Sequence, residues 1–159
     1  MNLRAATLPD LPDIVETCNS TVSGRTVTAG TEPVTVESCL PWFHEHDPES
    51  RPTWVAEAEG EVEREITGWF SFEPFRKQSA YHAPVEVSIY IAAKHRRREI
   101  AKRLFAEAIR HAPALGLKTL TAGAFAHNEP SLIQFEHFGL EPWAYFPRVA
   151  ELDEEPVLG

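Results

Sequence analysis

Between Val85 and Ile91 the chain alternates without a break, with Val85, Val87, Ile89 and Ile91 on one side and Glu86, Ser88 and Tyr90 on the other. That period of two predicts a strand with one face for a core and one free to carry chemistry. From Ile100 the spacing changes to threes and fours: Ile100, Ala101, Leu104, Phe105, Ala108, Ile109 and Ala112 predict an amphipathic helix ending near Gly116. Leu117 to Phe125 then reads as a second strand, so strand, helix and strand form a right-handed βαβ unit with parallel strands. Upstream, Asn2 to Ala5 predicts a short strand. A helix follows with Leu11, Ile14, Val15 and Cys18 on one face and Thr7 as its N-cap. After a polar loop from Ser23 to Pro33, a second helix is expected from Val36 to His46 behind Thr35, although Pro41 interrupts its pattern. Trp54 to Glu57 and Ile66 to Phe72 read as two strands of a hairpin around an acidic turn containing Gly60. Near the end, Asn128 is placed to cap a helix, with Pro130 in the first turn and Gly139 at its close.

A chain of 159 residues that is 43% hydrophobic is the size of one ordinary domain, so residues 1–159 are expected to share one core. The formal charge of −9 excludes a general nucleic-acid surface, because phosphate backbones are held by clustered Lys and Arg. Any anionic ligand must therefore be bound locally. No run approaches the roughly 18 apolar residues of a membrane span, and the N-terminal residues lack the charged-then-apolar pattern of a secretion signal. With Cys18 and Cys39 as the whole thiol content, a disulfide framework is not expected and the cytoplasm is the natural compartment.

Lys94 to Arg103 forms a strongly basic junction at the start of the long helix. Unpaired backbone N–H groups and the positive end of a helix dipole attract phosphate there, and Arg and Lys side chains reinforce the attraction. On residue types alone a solvated basic turn is an equal reading. Glu86, on the polar side of the alternating strand, suits a general base or a solvated carboxylate. His44, Glu45 and His46 are neighbours that cannot face one point from a helix, so they predict a solvated polar face and no metal.

The junction resembles the pyrophosphate loop of the GNAT superfamily, (Gln or Arg)-x-x-Gly-x-(Gly or Ala) after a central strand. Here it reads Arg96-Arg97-Arg98-Glu99-Ile100-Ala101, with Glu99 in the usual glycine position. Further segments resemble the phosphinothricin acetyltransferase-like branch in order: Ser23-Gly24-Arg25-Thr26 leading to Thr31 to Thr35, Phe75-Arg76 followed by Ala80-Tyr81, Val85 to Ile91, Ala126 to Ser131 through Phe138-Gly139-Leu140, and Pro147 to Asp153. Together they cover nearly the whole chain.

That resemblance implies an α/β GNAT fold with a central mixed twisted sheet flanked by helices. It also implies transfer of an acetyl group from acetyl-CoA to the primary amine of a small amino-acid-like acceptor such as phosphinothricin or methionine sulfoximine. Glu86 would be the general base. Backbone groups of Ile89, Tyr90 and Ile91 would meet the pantetheine and acetyl portions, with an N–H near Ile91 at the developing oxyanion. Residues Arg97, Arg98, Glu99, Ile100, Ala101 and Lys102 would meet the pyrophosphate, and Asn128 and Ser131 would lie farther along the cofactor. Phe75, Arg76 and Tyr81 would line the acceptor site, Arg76 as a clamp for a carboxylate. Phe135 stands where some relatives place a tyrosine acid, which leaves the proton donor to CoA unassigned. A homodimer, with neither nucleic acid nor membrane as partner, is likewise implied. The alternative is an acyl-CoA-binding regulatory module with weakened catalysis. It is suggested by Glu99 and by the ending Asp153 to Gly159, where Pro156 makes the last edge strand brief or absent.

Overall fold

The computed structural model describes residues 1–58, 65–76, 84–96, 99–152 and 155–157. Its elements run β1 (Asn2–Ala5), α1 (Leu11–Val22), α2 (Val36–Glu45), β2 (Trp54–Glu57), β3 (Ile66–Pro74), β4 (Pro84–Ile91), α3 (Ile100–His111), β5 (Thr119–Thr121), α4 (Glu129–His137), β6 (Ala150–Leu152) and β7 (Glu155–Val157). The first five strands form one sheet in the order β1-β2-β3-β4-β5, antiparallel until β4, which pairs β5 in parallel across α3. The architecture is a mixed α/β sheet flanked by helices, as the resemblance implied.

Both faces of the sheet are covered, and the alternation along β3 and β4 sorts residues between them. On one face Phe70, Phe72, Val85 and Val87 pack with Leu104, Phe105 and Ala108 of α3, and Phe135 of α4 and Phe138 just beyond it close over this layer. On the other face Val55, Ile66 and Trp69 pack against Leu11, Ile14 and Val15 of α1, with Leu40, Trp42 and Phe43 of α2 at the margin. Burial of apolar area on this scale, at about 25 cal/mol per Å², supplies the main driving force for both layers. Gly68 permits the close fit of β3 on β4. A Cβ there would meet the Tyr90 carbonyl oxygen at 2.8 Å and Ile91 Cδ1 at 2.9 Å.

Several boundaries differ from expectation. Thr7 opens a 3₁₀ turn over Leu8–Asp10, and Asp10 precedes α1. Pro41 lies inside α2, whose start is fixed by reciprocal hydrogen bonds between Thr35 and Ser38. Ile109 is exposed rather than part of the buried face of α3. The greatest difference is β5, which covers Thr119–Thr121 and not Leu117 to Phe125. The final strand is brief, as expected, and β6 and β7 form a hairpin separate from the main sheet.

Candidate active site

The short β5 opens the sheet. Its pairing with β4 covers Pro84 to Glu86 against Thr119 to Thr121, while β4 stays paired with β3 as far as Ile91. Among the described residues no strand pairs with the β5 side of Val87 to Ile91. Alternate N–H and C=O groups of that stretch therefore face a cleft between diverging strands, where an extended amide-bearing ligand would find strand-like partners. Glu86 is the last residue of β4 paired with β5, so its side chain stands at the fork.

Gly123, just beyond β5, makes room for it: a Cβ on Gly123 would lie 3.4 Å from Glu86 Oε1. Glu86 remains open to solvent, yet burial raises its carboxyl pKa above the ordinary glutamate value, and the negative charge of Glu73 adds to the rise. Tyr90 lies on the same side of β4, stacked on Trp69 at 4.5 Å, and burial followed by the nearby Cys18 pushes its phenol pKa up.

Below Glu86 lies a polar cluster that sequence reasoning missed. Glu73 Oε1 accepts hydrogen bonds from Trp42 Nε1 at 2.9 Å and Ser71 Oγ at 3.1 Å, and His46 Nε2 lies 3.0 Å from the same oxygen. The His46 side chain is 7% exposed, which corrects the expectation of a solvated face at residues 44 to 46; only His44 and Glu45 fit it. Burial works against charge on His46, but Glu73 and the Trp42 carbonyl outweigh it and raise its pKa. Burial likewise pushes Glu73 up, while bonding to His46 and Trp42 outweighs it and leaves the carboxyl below the usual value. No cluster of three or more metal-ligating side chains occurs among the described residues.

At the other end of the cleft, Glu99 precedes α3 with φ 57° and ψ 10°, a left-handed conformation. The chain thus keeps a glycine-like backbone where the loop motif has glycine. The N-terminal turn of α3 presents Ile100, Ala101 and Lys102, with the Lys102 side chain exposed. Arg97 and Arg98 lie outside the described residues. Arg96 turns away from the junction and donates from Nη2 to the Ser20 carbonyl at 2.9 Å, fastening the loop to the end of α1.

Asn128 caps α4 by accepting from Ser131 N, and its Nδ2 donates to the Thr26 carbonyl at 2.9 Å. His127 Nε2 lies 3.0 Å from the Arg25 carbonyl. These contacts fasten the loop after α1 to the start of α4. Phe75 and Arg76 are exposed just beyond β3, with the guanidinium 5.8 Å from the Phe75 ring centroid. Tyr81 lies outside the described residues. Phe135 packs against Phe105 at 5.8 Å and belongs to the core.

Residues 16–140 match the model of the acetyltransferase (GNAT) family. The chain belongs to that family. This GNAT protein is 46% identical over 153 residues to "Putative phosphinothricin acetyltransferase YwnH" of Bacillus subtilis, covering 96% of this chain and 91% of the relative. It is 27% identical over 150 residues to an L-methionine sulfoximine/L-methionine sulfone acetyltransferase of Pseudomonas aeruginosa, covering 94% and 86%. A crystal structure described as a putative phosphinothricin N-acetyltransferase superposes with a TM-score of 0.91 at 44% identity, covering 98% of this chain and 92% of that one. The protein is an acetyl-CoA-dependent acetyltransferase.

Proposed function

We propose that this GNAT enzyme acetylates the primary amine of a small amino-acid-like acceptor of the phosphinothricin or methionine sulfoximine type, with Glu86 as the general base. The observation that carries the reading is the position of Glu86 at the fork between β4 and β5, beside Gly123. Acetyl-CoA brings an acetyl group activated as a thioester. The residues present fit such a molecule: the open edge at Ile89, Tyr90 and Ile91 offers backbone partners for its amides. The start of α3 at Ile100, Ala101 and Lys102 offers N–H groups and a cation for its phosphates.

An amine near neutral pH is mostly ammonium and has no lone pair to attack with. Glu86 accepts that proton, and a proton affinity raised by burial and by Glu73 makes it a better acceptor than a solvated glutamate. Arg76, with Phe75, supplies a cation for the acceptor's carboxylate at the exposed end of β3. Asn128 and Ser131 act by holding the start of α4 and the loop after α1 beside the cleft. The names borne by the relatives support the acceptor class and favour catalysis over a regulatory module.

The test is release of CoA thiol with phosphinothricin, L-methionine sulfoximine and a panel of amino acids. Glu86→Gln is expected to lower kcat by about 10²- to 10⁴-fold while acetyl-CoA affinity is retained. An unchanged pH–rate profile in that variant would remove Glu86 from the base role. Acetyl-CoA binding without turnover on any amine would support the regulatory module instead.

A further inference from the structure

The cluster beneath Glu86 has its own chemistry. Glu73 and Glu86 face each other in the β3–β4 register, an arrangement in which like charges repel. Glu73 keeps its charge there because Trp42, Ser71 and His46 converge on Oε1. The state of His46 follows from its neighbours. Its Nδ1 lies 2.8 Å from the Trp42 carbonyl and its Nε2 3.0 Å from the Glu73 carboxylate. Nδ1 faces the Trp42 carbonyl and Nε2 sits beside the carboxylate without hydrogen-bond geometry, and together these two acceptors favour the protonated ring against burial.

We propose that Glu73 and His46 form a positioning pair that sets the proton affinity of Glu86, Glu73 holding it high and His46 limiting how high. The inference rests on Glu86 being the base. Among the described residues, the titratable groups around the cluster include Tyr90 on β4, Cys18 on α1, Cys39 on α2 and Arg51 beyond α2. Burial pushes the Tyr90 phenol and the Cys18 thiol up, and both stay neutral near pH 7. Arg51 opposes charge on His46 and is outweighed by Glu73. Burial raises the Glu86 carboxyl most, and the charge that adds to the rise is that of Glu73, whose own state is tied to His46.

Opposite substitutions must act in opposite directions. Glu73→Gln removes the repelling charge beside Glu86, so the Glu86 midpoint falls. His46→Gln keeps a donor but removes the positive charge, so the midpoint rises. The measurement is a carboxyl ¹³C NMR titration of the full chain, with the Glu86 signal assigned by its loss in Glu86→Gln. It is paired with the pH dependence of turnover on L-methionine sulfoximine. Displacements of about one pH unit, a tenfold change in proton affinity, are expected with opposite signs, and Glu73→Asp should restore the native midpoint. Should His46→Gln fail to fold, Glu73→Gln against Glu73→Asp decides alone. An unmoved Glu86 midpoint in Glu73→Gln, or a fall in both charge-removing variants, would overturn the pairing. If the midpoints separate but the acidic limb of the rate profile stays fixed, the pair stands and the base role of Glu86 fails.

Discussion

Glu99 combines a left-handed backbone with a carboxylate at the N-terminus of α3, where the proposed cofactor phosphates would lie. A non-glycine residue in that region is strained by about 1–2 kcal/mol, and an anion beside the α3 N-terminus repels a diphosphate. Glu99→Gly is therefore expected to tighten acetyl-CoA binding by about fivefold, equivalent to about 1 kcal/mol, and to leave Glu86 chemistry untouched. Isothermal calorimetry checks the affinity; an unchanged dissociation constant would show that the carboxylate points away from the phosphates. The sequence made Glu99 visible as a departure, because one position of a short motif carried the wrong residue. It could not show that the backbone keeps the shape glycine usually provides. His46 was harder to see. Its neighbours in the chain argue for a solvated face, and its partner Glu73 lies on β3, one residue past where the hydrophobic run of that strand ends. A contact between residues 27 positions apart leaves no mark on local periodicity.

Elements whose pattern expresses their own packing were legible, and elements limited by a neighbour were not. β4 and α3 each bury one face, so their periods of two and of three to four matched the structure closely. β5 is different: Leu117 to Phe125 is apolar enough for a longer strand, but β4 offers it partners only over Pro84 to Glu86. Divergence is a property of two strands together, and neither sequence encodes it alone. Gly68 governs the opposite edge of β4. Adding a methyl there pushes on the Tyr90 carbonyl and on Ile91, both backed by packed residues, so Gly68→Ala should destabilise the protein by about 1–3 kcal/mol. Chemical denaturation measures the loss. A drop in acetyl-CoA affinity should accompany it, because the displaced segment is the open edge of the cleft.

At the scale of the molecule, one buried ionic knot joins the beginning of the chain to the sheet. Arg4 on β1 donates to Asp10 through Nη1 and Nη2, each at 2.7 Å, and through Nε to Glu57 on β2 at 2.8 Å. The Arg4 hydrogen bonds, working against burial, lower the Asp10 pKa from 3.8 to about 2, with help from Thr7. Because the folded pKa is depressed, this contribution is complete above about pH 4 and is lost as pH falls through about 2. It amounts to about 2 kcal/mol, so Asp10→Asn should be less stable by that order at pH 7, and the difference should shrink in acid. Urea melts at stepped pH test this. The knot was invisible from the sequence, since Arg4, Asp10 and Glu57 belong to three elements whose meeting depends on strand order. The order itself was legible only in part: adjacency of the β2–β3 hairpin and of the βαβ unit followed from pattern, whereas the place of β1 beside β2 did not. What the pattern hid most completely was the parting of β4 from β5. That parting leaves the molecule with an unfinished sheet, a row of amides that nothing in the described chain completes. Such an edge invites other strands, including those of neighbouring molecules, and a bound strand-like ligand would seal it. On the proposed site, turnover and resistance to aggregation would draw on the same few residues of β4, so a ligand bound along that edge would also protect the protein between turnovers.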